Sequence, residues 1–278
     1  MAFKTVLAVT GPDLDDSDLR MAVTLCQEID AHLAVLVMAL AAPPPIGGYA
    51  AVISEAWLEE RQADKDKLQQ RTAAVSAFLA ANAISSDISS EYQEEAWADE
   101  TIGQRARYTD IVLLGPDLLS HPVLKGRVLE GALFPAGKPV LLMPAGSNAS
   151  LKPKRVMIAW DSRLEASNAV SSAMDPLSAA DAVHLALVDP MGDEGGQGLE
   201  PGADIATYLA RHGVKVTVDR LPSQGRTVAD TLRQHAIDVS ADLLVMGAYG
   251  HSRLRQRIFG GVTRSIVDEP PIAVLMAR

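Results

Sequence analysis

Cysteine occurs once in these 278 residues, at Cys26. No intramolecular disulfide framework is therefore possible, and a lone thiol fits a reducing compartment. Aromatic residues are also scarce, 4% against 48% hydrophobic overall, which leaves the core to Val, Leu, Ile and Ala. No apolar run reaches the 18 residues of a membrane-spanning helix, and no basic start with an apolar stretch opens the chain. Cationic charge is in deficit, with 25 Lys and Arg against 35 Asp and Glu. That balance argues against a nucleic-acid partner, because phosphate backbones are bound by concentrated Lys and Arg. A soluble, cytoplasmic, globular protein of one or two domains, with no membrane partner, is expected.

Several chemical signatures are missing as well. There is no GxxxxGK(S/T) phosphate loop and no G-x-S-x-G nucleophile elbow. His32, His121, His184, His212 and His235 show no HxH or HExxH spacing, so no metal ligand set is indicated. No catalytic residue is assigned.

What is present is a series written twice. VLAV, AHLAVLVMAL, DIVLLG and PVLLM in the first half are answered by VMIAW, VHLALV, VKVTVD, ADLLVMG and IAVLM in the second. Runs apolar on both faces, alternating with amphipathic segments, indicate parallel strands covered by helices. Val6 falls on Val156 at a shift of 150 and His32 on His184 at 152. Asp110, Gly115 and Pro139 fall on Asp242, Gly247 and Pro271 at a shift of 132. Between the copies lies PAGSNASLKPK, Pro144–Lys154, with linker composition. The expected fold is two Rossmann-like α/β domains, 1–145 and 153–278, each a five-stranded parallel sheet with helices on both faces.

The copies diverge after their second strand. The first has the loop AAPPPIGGYA and then a long helix over Ala51–Ala81. The second has PMGDEGGQGLEPG, too glycine-rich for regular structure, then a short helix ending before Gly213. Each loop is either a solvated connection or a lid.

The densest signal is GAYGHSRLRQRIFGG, Gly247 to Gly261, which begins where the strand ADLLVM ends. Ligands of open parallel sheets bind beyond the carboxyl ends of the strands. Glycines there let backbone amides approach a bound oxygen, and the helix that begins after Gly260 and Gly261 favours an anion at its start. From Gly247 to Val267 stand Arg253, Arg255, Arg257 and Arg264 and no acid. The matching Gly115–Pro135 has two cations, Lys125 and Arg127, and two acids, Asp117 and Glu130. Positive charge is concentrated in one copy alone.

The spacing Gly247-x2-Gly250-x9-Gly260 resembles the nucleotide loop of universal stress proteins, whose pattern is G-x2-G-x9-G followed by Ser or Thr. The five-strand order of both halves makes the chain similar to a tandem member of that family, with domains of the adenine nucleotide α-hydrolase type. The resemblance implies ATP, with or without Mg, in the second domain. The residues it marks are Asp161, Val188, Met246, Gly247, Gly250, His251, Ser252, Gly260, Gly261, Val262 and Thr263. Asp161 suits ribose hydroxyls or the adenine amine, although Ser162-x-x-Glu165 also reads as a helix capping box. Two departures stand out. Gly261 replaces the family hydroxyl, with Thr263 nearby as a substitute donor, and Leu118, Val128 and Leu129 fill the first half where Gly250, Gly260 and Gly261 stand.

The implied function is a stress-response protein whose adenine nucleotide acts as a sensor or switch. Slow ATP hydrolysis involving His251 and a nucleotide-independent scaffold are the alternatives. The family pattern also implies that PVLLM and IAVLM pair as the fifth strands of an intramolecular pseudo-dimer, with a homodimer of chains as a further assembly.

Overall fold

The computed structural model describes residues 3–41, 55–147, 150–190, 200–249 and 261–278. They divide into two compact units, Phe3–Lys138 and Pro139–Arg278. In the first, β1 (Thr5–Thr10), β2 (His32–Ala41), β3 (Ser86–Glu94) and β4 (Ile111–Leu114) form a parallel sheet in the order β3-β2-β1-β4. Its helices are α1 (Ser17–Ile29), α2 (Glu55–Ala81), α3 (Ala98–Ala106), α4 (Pro116–Ser120) and α5 (Leu124–Leu133). The second unit holds β5 (Val140–Leu142), β6 (Arg155–Ala159), β7 (Ala182–Val188), β8 (Val216–Leu221), β9 (Leu243–Gly247) and β10 (Ala273–Ala277). Their order is β5-β10-β9-β6-β7-β8, and every pair is parallel except β5 with β10. Its helices are α6 (Leu164–Ser172), α7 (Met174–Ala179), α8 (Ala203–Arg211), α9 (Val228–Asp238) and α10 (Gly261–Asp268).

PVLLM and IAVLM do pair. Leu141 stands opposite Leu275 in an antiparallel ladder, and every residue of both strands is buried. The ladder covers the unpaired edge that β10 would otherwise present. β5 thus belongs to the second compact unit, although the sequence repeat counts it with the first.

The central strands are buried along their length, as parallel strands covered on both faces must be: VLAVT of β1, IVLL of β4 and LLVM of β9 are all inaccessible. The outer strands β3 and β8 are partly exposed throughout and rich in polar residues. Such sequences deter edge-to-edge association. Cys26 lies in the core face of α1, where burial pushes its thiol up to about 12.

The duplication reaches atomic detail. Asp110 accepts hydrogen bonds from the amides of Lys4 (2.7 Å) and Thr5 (2.9 Å), and Asp242 does the same for Lys154 (2.9 Å) and Arg155 (2.8 Å). Val6 pairs with Ile111 and Val156 with Leu243, so the shifts of 150 and 132 hold together in the sheet. The shift of 152 does not. His32 pairs with Thr5, whereas the residue paired with Arg155 is Ala182 and His184 sits two positions further along. The two histidines share a face but are not equivalent.

Candidate functional site

The site lies in the second unit, at the carboxyl ends of β6, β7 and β9. β6 is the centre of that trio, and the chain leaves it for β7 on one side and returns to β9 on the other. Crossovers diverge at such a point, and a crevice opens. The crevice here has a volume of about 630 Å³, within the range of small-molecule sites. The end of β6 supplies Ala159, Trp160 and Asp161, and β7 supplies Ala186 and Val188. Met246 and Gly247 come from β9, while the starts of α9 and α10 close the remaining sides.

Of the residues expected from sequence, Asp161, Val188, Met246, Gly247, Gly261, Val262 and Thr263 all line this one crevice. Gly250, His251, Ser252 and Gly260 lie outside the described residues, as do Arg253, Arg255 and Arg257. The loop segment 191–199 does too, and so do 42–54 before α2.

Gly247 and Gly261 are glycines for different reasons. A Cβ added to Gly247 would stand 2.6 Å from the Ala166 amide nitrogen and 2.7 Å from the Glu165 carbonyl carbon. No Cβ tolerates that, so the absence of a side chain lets α6 dock on the end of β9. A Cβ added to Gly261 meets none of the described residues within 4 Å. Gly261, exposed at the start of α10, stands beside the buried Thr263, whose hydroxyl oxygen is 3.5 Å from the Tyr249 amide. Arg264, counted with the positive cluster, pairs at 3.6 Å with Asp268 on the exposed side of α10.

Asp161 remains more than half exposed. Its carboxylate accepts from the Arg163 amide at 3.1 Å and lies 3.6 Å from the Arg163 guanidinium. The capping box expected at Ser162-x-x-Glu165 does not form. Ser162 takes a left-handed φ of 62°, and α6 begins after Arg163 with no side-chain cap. The tight turn that leaves β6 uses Asp161 to hold the backbone, and the Ser162 hydroxyl is no longer placed to cap.

Sequence reasoning passed over Trp160, Thr227 and Leu232. Trp160 could have been found, because an indole at the end of a strand, next to the singled-out Asp161, is a ready stacking surface. Thr227 was legible as a cap. Its hydroxyl accepts from the Asp230 amide at 3.1 Å and bonds the Asp230 carboxylate at 2.6 Å, which holds that carboxyl below its usual range. Leu232 carried no signal, since only the docking of α9 turns it toward the crevice.

In the first unit the same region is filled. Leu118, Leu124, Val128 and Leu129 are each 1% exposed or less. Asp18, itself buried, reaches from α1 to accept the amides of Asp117 (3.1 Å) and Leu118 (2.9 Å) at the start of α4. Burial outweighs those bonds and raises the Asp18 carboxyl above the ordinary aspartate value. A Cβ on Gly115 would stand 2.4 Å from that carboxyl carbon. The cavity left over, about 250 Å³, lies between Gly11, Met38, His121 and Leu124.

Residues 152–278 match the model of the universal stress protein family. The second repeat is a universal stress protein domain. Beyond it, the fold of the whole chain is similar to that of a universal stress protein from Archaeoglobus fulgidus DSM 4304. That match has a TM-score of 0.70 at 16% identity and covers 98% of this chain and 96% of that one. A putative universal stress protein from Pseudomonas aeruginosa UCBPP-PA14 follows, with a TM-score of 0.58 at 17% identity over 99% and 92% of the two chains. The cytoplasmic domain of a prokaryotic cation chloride cotransporter shares the fold at a TM-score of 0.50 and 13% identity, over 100% of this chain and 95% of that one. No curated protein matches the sequence. The universal stress protein fold is thus established across both repeats, and sites must be argued from residues. No helix among the described residues is long and apolar enough to cross a membrane.

Proposed function

We propose that the universal stress protein domain of the second repeat binds ATP, or another adenine nucleotide, with or without Mg. The first repeat stays empty, and occupancy serves as the sensor or switch of a cytoplasmic stress-response protein. The functional domains are then 1–145 and 153–278, the second acting and the first serving as its sealed companion. The observation that carries this reading is the contrast of cavities: about 630 Å³ at the switch point of the second repeat and about 250 Å³ in the first.

The adenine lies against Trp160 and the backbone of Val188, the ribose is held by Asp161, and the phosphates run toward the start of α10 at Gly261 and Thr263. Each group suits its neighbour. An indole face stacks on a purine, a carboxylate accepts from ribose hydroxyls, and glycine beside a helix N-terminus admits phosphate. The Thr263 hydroxyl stands in for the Ser or Thr of the family loop.

Titration of nucleotide-stripped protein with ATP by calorimetry tests the reading. Saturable binding at one site per chain is expected. Absence of any saturable heat up to millimolar ATP, with the circular dichroism of a folded protein, overturns it.

A further inference from the structure

On the same face of the sheet as the crevice, but separate from it, three ligand-bearing side chains converge. His184 on β7 places Nδ1 2.8 Å from the Oδ2 oxygen of Asp219 on β8. His235 on α9 places Nε2 2.8 Å from that same oxygen. The three ligand atoms all lie within 4.8 Å of one another, and each side chain is between 15% and 22% exposed. The imidazole rings stand nearly perpendicular, at 83°, with centroids 6.2 Å apart. Their nitrogens therefore approach the carboxylate from two directions.

We propose that His184, Asp219 and His235 form a binding site for a divalent transition-metal ion of the zinc class. Two imidazole nitrogens and one carboxylate oxygen are a donor set for Zn, Co, Ni or Cu rather than for Mg or Ca, which prefer all-oxygen shells. Two atoms bound to one tetrahedral zinc at about 2.1 Å stand about 3.4 Å apart. The present hydrogen-bonded contacts open by about half an ångström to admit the ion. Each imidazole binds a metal through a ring-nitrogen lone pair, so the nitrogen facing Asp219 carries no proton when the ion is bound. The ion takes the place of the two hydrogen bonds at the centre of the trio. Three protein ligands leave a fourth position for water.

Backbone geometry arranges the trio in advance. His184 pairs with Thr217 across β7 and β8, so Asp219 is its diagonal neighbour, two residues on and on the same face. His235 lies one turn beyond Leu232 on α9. The first repeat supplies the contrast. His32 reaches Asp87 at 2.7 Å along the same diagonal, but two residues nearer the start of the strand, where both side chains are a third or more exposed. Among the described residues no third ligand joins that pair. The two-residue displacement of histidine between the repeats sets the second pair beneath a helix that carries another histidine.

The trio also adjoins the crevice. His184, Ala186 and Val188 alternate along one face of β7, and the latter two line the crevice, as does Leu232. An ion there ties β7, β8 and α9 together behind it without touching what the crevice holds.

Calorimetric titration of the nucleotide-free full chain with Zn²⁺ alone, repeated with Co²⁺ to read its visible d–d bands, tests the proposal. One ion per chain is expected, with affinity at least tenfold weaker in His184→Gln, Asp219→Asn and His235→Gln and unchanged in His32→Gln. Zn²⁺-soaked crystals give a second readout that does not depend on the variants folding, an anomalous peak within bonding distance of the three side chains. Failure to saturate with micromolar Zn²⁺, binding that survives all three substitutions, or a peak placed elsewhere overturns the site. ATP titration in the absence of transition metal is independent of these outcomes, so failure of either proposal is distinguishable from failure of the other.

Discussion

The two repeats share a sheet order, a strand register from β1 to β4 and from β6 to β9, and even the aspartate that anchors the start of the first strand. They differ where the strands end. In the first, a protein carboxylate, Asp18, already occupies the amides at the start of α4, and Leu118 seals the space behind it. In the second, the matching region is a crevice with the exposed Asp161 carboxylate on one wall and the start of α10, at Gly261, on another. The first repeat thus both meets its helix-start amides with its own carboxylate and fills the volume behind them with aliphatic side chains.

The contrast can be broken most forcefully at the seal. Leu118→Ala is expected to lower the stability of the first unit by about 2–5 kcal/mol in urea unfolding. It should not create ATP binding by calorimetry, because Asp18 still holds the amides. Next comes the glycine that both repeats share for packing. Gly247→Ala should cost about 1–3 kcal/mol, since backbone of α6 stands within 2.7 Å of the new Cβ, whereas Gly261→Ala should leave thermal unfolding almost unmoved. Asp161→Ala should weaken ATP binding by about tenfold, the value of one charge-assisted hydrogen bond, without changing the unfolding midpoint. A gentler test restores the family hydroxyl. Gly261→Ser meets none of the described residues and should tighten ATP binding by up to about tenfold, read in the same titration.

The smallest effect concerns Asp18. Its carboxyl is raised in the folded chain, so the protonated form is favoured by folding. The stability this confers is fully present below the ordinary value of 3.8 and is lost as pH rises through the raised one. Urea midpoints measured from pH 3 to 7 should therefore fall for the native chain relative to Asp18→Asn as the pH increases. A parallel pair of curves would show that Asp18 does not titrate differently in the fold.

Much of this architecture was legible in the chain. Aliphatic runs buried on both faces marked β1, β2, β4, β6, β7 and β9, and the constant shifts exposed the duplication, because a twice-used fold demands the same residue types at the same strand ends. β3 was not named, and the reason is physical. As an edge strand it carries SDISSEYQE, which has no apolar face to read. The His32 and His184 match misled for a related reason. Sequence shift counts residues, whereas strand register counts hydrogen-bonded partners, and the two disagree by two positions here.

Composition and spacing alone determined that this would be a duplicated α/β protein with an asymmetric pair of strand ends, since hydrophobic periodicity and glycine placement are local properties of a chain. Only the tertiary structure decided which polar groups meet. Asp18 finds amides 99 and 100 residues away, and His184 and His235, from a strand and a helix, converge on one oxygen of Asp219 on β8. Encounters of that kind depend on sheet register and helix docking, which arise when distant segments bury their apolar faces together and leave no trace in the spacing of the residues themselves.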